Sequence, residues 1–351
     1  MLPVEWPIAA GAADPPVEAA RPAGRDRLPV VRRDLFLDER GRLTEQERAL
    51  MSAMLGTLVD QLADEIRLGL PTELLAQVEA DREHLAPRLW QSGALDRPAL
   101  VLLLLRRAGE QLVAAACRGS CEHNDGGSVE RLVGDSDGPT ASAAMALAVA
   151  RGRRRDRFGR VGLEFDDVPP VEAQQLVHLV AAAIRKGIRG PSVAIDEAVA
   201  TAAERVFGRH HEARRLDGRE LELAEALITA RGADDQLMAT LAAQGDAALI
   251  AALCSVRAGV ALDTAWALLI GSEARDAMLL ARLAELERPA AAALVAAFAE
   301  PLQWGEPAGV IAWFDTLSAH DIDAAGRWWR LPPAYRDGVE QHGGQNGQPS
   351  N

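Results

Sequence analysis

Between residues 219 and 285 apolar positions recur in short helical runs of nearly one length, and glycines at 232, 245, 259 and 271 separate them every 12 to 14 residues. A short polar side chain follows each glycine: Asp234, Asp246, Asp263 with Thr264, and Ser272. Glycine enters the left-handed backbone that ends a helix without a Cβ penalty, and Asp, Ser or Thr then caps the next helix. The rhythm predicts stacked helical hairpins in which each helix buries one face against its neighbours.

Upstream, Leu43-Thr44-Glu45-Gln46-Glu47 sets a Thr-x-x-Glu capping box ahead of Met51, Met54, Leu55, Leu58, Leu62 and Ile66. Spacings of three and four put these residues on one stripe of a helix of about six turns, which Pro71 stops. The stripe of Met51, Leu55, Leu58 and Leu62 is expected to be buried, inside the monomer or as the seam of a homodimer. The same period predicts helices over 72–80, 83–90, 97–117, 128–133, 140–151, 171–185 and 192–207, and, after the glycine-spaced series, over 289–299, 307–317 and 321–330. Strand, if the chain forms any, is expected only over 160–166.

The expected fold is all-α: an N-terminal helical bundle followed by a short α-solenoid of HEAT-like hairpins. Residues 1–33 hold six prolines and no apolar period, so they read as a disordered arm. Residues 34–151 are expected to form the bundle, 152–170 an arginine-rich linker, 171–335 the repeat domain and 336–351 a polar, disordered tail.

Composition narrows the function classes. Of 351 residues 48% are hydrophobic, which suits a sizeable core. A net charge of −13 and a pI near 5.1 argue against general nucleic-acid binding, which needs a basic field. The longest apolar runs, 141–150 and 289–299, are about half of what a bilayer span requires, and the first 14 residues lack the cationic stretch of a secretory signal. Three cysteines leave one unpaired in any disulfide scheme, so the expected location is cytoplasmic. Lys186 is the only lysine among 38 basic residues, a bias of high-GC bacterial coding.

Candidate chemistry is sparse. Cys117, Cys121 and His123 give a Cys-x3-Cys-x-His cluster, but structural zinc takes four ligands in two paired spacings and no second pair lies near. Cys117 reads as a small core hydrophobe. His210 and His211 lie among arginines between two glycines and read as a solvated loop. No phosphate-cradling glycine motif and no Gly-x-Ser-x-Gly elbow follows a predicted strand. Asp166-Asp167 and Asp234-Asp235 fall at helix starts, where they serve the caps and the macrodipole. No catalytic residue, cofactor or metal is therefore expected. The aromatics Trp304, Trp313, Phe314, Trp328, Trp329 and Tyr335 crowd the C-terminal end, where they are expected to cap the last repeat.

The polar anomaly is the run from 151 to 160, where Arg151, Arg153, Arg154, Arg155, Arg157 and Arg160 accompany the lone acid Asp156. It carries about +5 and leaves about −18 for the remainder. Such a patch suits a phosphate, RNA, an acidic lipid or an acidic partner helix, or else pairs with carboxylates of its own fold. The acidic remainder repels a long polyanion, so these six arginines are taken as a docking site for another protein, acidic at the contact.

Three stretches resemble the bacterial DUF2336 family: Asp34-Leu35-Phe36-Leu37 through the capping box to Ala63-Asp64-Glu65-Ile66-Arg67; Arg154-Arg155-Asp156-Arg157-Phe158-Gly159 with the proline turn and helix after it; and Gly245-Asp246-Ala247-Ala248-Leu249-Ile250 with Ala258-Gly259-Val260 and Trp266-Ala267-Leu268-Leu269. The resemblance covers most of residues 34–300 and implies an α-helical, HEAT-like fold without an assigned activity or catalytic residue. The expected function is that of a non-enzymatic helical-repeat protein mediating protein–protein interaction, as a regulatory or signalling adaptor. Two alternatives stand beside it. A dimeric module related to two-helix phosphotransfer domains needs an exposed histidine, which 44–69 lacks. An enzyme would need a site assembled from distant residues.

Overall fold

The computed structural model describes residues 43–80, 85–120, 127–135, 138–155, 162–190, 192–271, 273–336 and 338–339. The expected arm at 1–33, most of the polar tail, Cys121, His123, Arg157 and Arg160 lie outside the described residues. The chain divides into a unit Met1–Thr44, of which only Leu43 and Thr44 are described, and a unit Glu45–Asn351 that holds every helix named below.

Among the described residues the regular structure is helical. The first half contains α1 Glu45–Leu68, α2 Thr72–Ala80, α3 Leu85–Gln91, α4 Pro98–Ser120, α5 Ser128–Asp135, α6 Gly138–Arg153, α7 Pro170–Gly187 and α8 Val193–Phe207. The second half contains α9 Leu216–Thr229, α10 Asp235–Gln244, α11 Ala247–Ala258, α12 Leu262–Ile270, α13 Ala274–Leu283, α14 Arg288–Phe298, α15 Pro307–Thr316 and α16 Ala319–Trp329. Arg155 is a lone bridge residue. The described part of 160–166, where strand is allowed, forms none: residues 162–164 are irregular and Phe165–Asp167 is a 3-10 turn. Here Glu164 and Asp167 cap the turn reciprocally, which satisfies locally the backbone groups that a strand would pair with a neighbour. Helical turns at 333–336 and 338–339 also run past the expected start of the tail at 336.

The apolar stripe of α1 lies inside the monomer, packed on α4, α7 and α8. Leu55, Leu58 and Leu62 are buried with Met54, Val59, Ala63 and Ile66, whereas Met51 at the margin is half-buried. Glu45 and Glu47 in the first turn and Arg67 in the last complement the helix dipole.

Two hydrophobic cores fill this unit, and they do not divide at 152–170. The first joins α1, α2, α3, the N-terminal half of α4, Leu163, Val168, α7 and α8. The second joins Val113 and Cys117 of α4 with α5, α6 and α9 to α16. Helix α6 therefore packs with the later series, against α9, while α7 and α8 turn back onto α1. The expected bundle of 34–151 and repeat domain of 171–335 thus exchange helices. Periodicity shows that a helix has an apolar face but not which neighbour covers it.

In the second core α11 is buried almost all round, from Ala247 to Ser255 and again at Ala258. Its alanines let α4, α9, α10, α12 and α13 approach closely. Alternate helices α9, α11, α13 and α15 stack in a row, as the hairpin rhythm implies, but α10 rests directly on α14. Of the four spacer glycines, Gly245 and Gly259 hold the left-handed conformation, with φ of 69° and 64°. At the other two, Arg231 takes that role before Gly232, and Gly271 leaves α12 extended. Asp234 and Asp246 cap as expected, accepting from the Leu237 and Leu249 amides at 2.8 and 3.2 Å. Asp263 and Thr264 instead lie inside α12.

Gly245 is required twice over. A Cβ there would stand 2.8 Å from Ala114 Cα, 2.9 Å from the Val113 carbonyl oxygen and 3.0 Å from Cys117 Cβ, so α4 and the α10–α11 turn touch backbone to backbone. Gly245→Ala is expected to destabilise by roughly 2–4 kcal/mol, combining left-handed strain with overpacking. Gly56→Ala, in α1 with open space around it, should stabilise by about 0.5–1 kcal/mol. Urea midpoints of the two variants provide the check, and equal shifts would contradict the contact.

Candidate functional site at the arginine segment

The arginine run begins as the last turn of α6. Arg151 grips Asp246 with both terminal nitrogens, at 2.6 and 2.8 Å, while one of them lies 3.5 Å from Glu220. Asp246 caps α11, so one carboxylate ends a helix and holds α6 beside it. Arg154 forks onto Asp167 at 2.7 and 2.6 Å and donates also to the Ala150 and Arg214 carbonyls. Asp167 accepts in addition from the amides of Glu164 and Leu216. Arg154 is 4% exposed and Asp167 1%, a bidentate pair with its remaining hydrogen-bonding capacity filled. The pair fixes the end of α6, the 3-10 turn and the start of α9 to one another.

Beside it lies a second ionic cluster that sequence reading missed. Arg107 of α4, 1% exposed, donates to Glu110 at 2.8 Å and to Asp217 at 2.6 Å. Arg106 reaches Asp217 at 3.3 Å and Asp263 at 3.2 Å, and its guanidinium lies over the Trp266 ring at 5.3 Å. Burial works against the Asp217 carboxylate, but Arg107, Arg106 and Arg215 outweigh it and hold its pKa below the ordinary range. Glu220 has the opposite balance. It is wholly buried, its Oε2 faces Arg106 Nη2 at 3.6 Å without a hydrogen bond, and neither atom has another partner. Burial first, and then the Glu110 charge, push its pKa up from the ordinary 4.5 to about 7. Arg107 and Glu220 are closed to solvent, so the centre of the cluster joins helices, while Asp263 at its edge is exposed.

The remaining described arginines of the run face outward. Arg153 and Arg155 are exposed and, among the described residues, their side chains have no ion pair or hydrogen bond. Both line a cleft of about 570 Å³ between α1 and the segment around 162–166. Its apolar side includes Leu50, Met54, Leu58, Leu62, Leu163 and Phe165. The sequence run thus separates by role: Arg151 and Arg154 point into the fold, and Arg153 and Arg155 line a groove.

Other candidate residues take structural positions. His210 is half-buried, contrary to the expectation of a solvated loop. Its ring nitrogen contacts the Val168 carbonyl at 2.9 Å, and the ring packs edge-on to Phe165 and stacks with Phe207. His211 is exposed, and its amide donates to Asp166. Cys117 is buried, its sulfur 3.7 Å from the Ala297 carbonyl. Among the described residues, no group of three or more His, Cys, Asp or Glu is arranged to hold a metal, and no helix is long and apolar enough to cross a membrane. Trp304, Phe314 and Trp329 close the end of the second core, whereas Trp313 and Tyr335 are exposed. Neither a family model, nor a curated protein, nor a solved structure matches the chain.

Two consequences of the ionic joints are measurable. Because the Glu220 pKa is raised on folding, the folded state binds its proton more tightly than the unfolded chain. Its favourable contribution is complete below about 4.5 and is lost as pH rises through about 7. Stability should therefore fall across that interval by roughly 3 kcal/mol at most, and Glu220→Gln should flatten the slope of urea midpoint against pH. The lowered Asp217 pKa acts only below this window, where its contribution is lost as pH falls. At the second joint, Asp167→Asn leaves Arg154 buried without a counter-charge and should cost roughly 3–5 kcal/mol. Arg154→Met with Asp167→Leu should recover most of that loss in the same denaturation assay.

Proposed function

We propose that the chain is a non-enzymatic helical-repeat adaptor that docks another protein at the arginine segment, within the cytoplasm. The observation that carries this reading is the pairing state of neighbouring arginines. Arg154 anchors the backbone through a saturated ion pair, and Arg153 and Arg155 on either side are exposed, line a cleft and have no side-chain partner among the described residues. Exposed guanidiniums on an anchored backbone suit recognition of partner carboxylates, because the fork geometry matches a carboxylate and little backbone entropy remains to be lost on contact.

The dimeric phosphotransfer alternative draws less support. The α1 stripe that would form its seam is covered by α4, α7 and α8. The enzyme alternative would need the Arg–Asp–Glu cluster to be reachable, and its central residues are closed to solvent. We propose kinship with the DUF2336 proteins on the three sequence stretches alone.

Affinity capture from the native cells, with wild type and with Arg153→Ser/Arg155→Ser, tests the adaptor reading. A reproducible partner should be captured by the wild type and lost in the double variant. The urea midpoint should shift by less than about 1 kcal/mol, since exposed unpaired charges contribute little to stability. A partner retained in full by the double variant would remove the arginine segment from the interface.

A further inference from the structure

We propose that the cleft accepts an acidic amphipathic helix of the partner, laid along α1 with its carboxylates on Arg153 and Arg155. The inference rests on the adaptor reading and names the chemistry of the partner. It begins with the shape of the wall. Cleft-lining positions on α1 run from Leu50 to Glu65 in steps of three and four, so one face of the helix borders the groove over about 22 Å at ~1.5 Å per residue. Ala53, Thr57 and Gln61 are the exposed positions of that wall. Ala53 and Thr57 are small, and the Thr57 hydroxyl already donates to the Ala53 carbonyl at 2.9 Å. A second helix can come close over these two positions without leaving their polar groups unsatisfied.

Charge decides the sign of the occupant. Three carboxylates line the cleft, and each is engaged within the fold. Glu65 pairs with Arg209 at 3.3 Å, Glu164 stands 3.7 Å from Arg154, and Asp166 accepts the His211 amide at 2.8 Å. The two lining cations without a partner among the described residues are Arg153 and Arg155. The free charge of the groove is therefore positive and confined to one wall, opposite an apolar floor. That combination matches a helix with a leucine-like stripe and acidic residues flanking it. A nucleic-acid strand places a phosphate at every step and would set several of them against Glu65, Glu164 and Asp166, so it fits less well.

A phage-displayed library of helical peptides of about 18 residues, panned on the full chain, provides the test; that length covers the α1 wall. Enriched sequences should carry apolar residues at i, i+3, i+4 and i+7 with Asp or Glu beside them. A synthesised winner should lose about tenfold or more in affinity, by fluorescence anisotropy, when its acids become Gln or when the protein carries Arg153→Glu/Arg155→Glu. The Lys counterpart of the peptide should bind the charge-reversed protein better than the wild type. Thr57→Trp, an exposed position that narrows the cleft, should abolish binding while the urea midpoint stays unchanged.

Enrichment of basic or extended sequences, acid-independent binding, or no enrichment would overturn the proposal. So would arginine-dependent binding of single-stranded RNA in place of the peptides. If cellular capture still yields an arginine-dependent partner after such a result, the adaptor reading stands and the acidic-helix proposal alone falls. If capture yields no partner while acidic peptides bind in the groove, the adaptor reading falls and the recognition chemistry stands.

Discussion

The structure depends on the burial of guanidinium groups at the junction of four helices. Arg106 and Arg107 come from α4, Arg151 from α6, Asp217 and Glu220 from α9, and Asp246 from the start of α11. Removing these charges from water is costly, and the return depends on geometry: forked contacts near 2.6–2.8 Å repay it where a single long contact does not. Helix α4 supplies apolar residues to both cores, so the cluster sits where the same helix passes from one core to the other. Alanine-rich helices pack against one another in many registers. A set of charges that is satisfied in one arrangement of α4, α6, α9 and α11 penalises the others, because any slip leaves a buried charge without its partner.

The cluster is also slightly mismatched at its centre. Glu220 and Arg106 face each other at 3.6 Å with neither atom otherwise bonded, and the Glu110 carboxylate repels Glu220 from the side. Holding a proton relieves the repulsion from Glu110, although it leaves the Arg106 contact unmade. Burial and that repulsion make this joint the one expected to respond to pH, whereas the Arg154–Asp167 pair, with its hydrogen bonds complete, serves as a fixed hinge pin.

Anchoring at Arg154 gives the neighbouring positions their character. Residues 153 and 155 flank a backbone that is tied to α6, to the 3-10 turn and to the start of α9, and Gly162 donates back to the Arg154 carbonyl at 2.6 Å. Their guanidiniums project from a rigid base into a groove whose opposite wall is the regular surface of α1. Scaffold and proposed docking surface are thus one short segment, divided between neighbouring side chains. A partner engaged at Arg153 and Arg155 would sit next to Leu163 and Phe165, which belong to the rim of the first core.

The sequence alone determined what depends on local geometry. The stripe of Leu55, Leu58 and Leu62, the caps at Asp234 and Asp246, the left-handed turns at Gly245 and Gly259 and the all-helical class all follow from spacings within a few residues. The unusual arginine run was legible for the same reason, since charge density is a local property. What the tertiary structure decided is which partners those residues meet. Arg151 finds Asp246 across 95 positions, Arg107 finds Asp217 across 110 and Arg106 finds Asp263 across 157. Nothing in the neighbourhood of Arg106 and Arg107 distinguishes them from the solvated arginines of any helix, and α6 carries no mark that sends it to the later core. Helical period fixes a face, but only the packing of distant helices selects its cover, and that selection turned two of the described arginines of the run inward and left Arg153 and Arg155 at the groove.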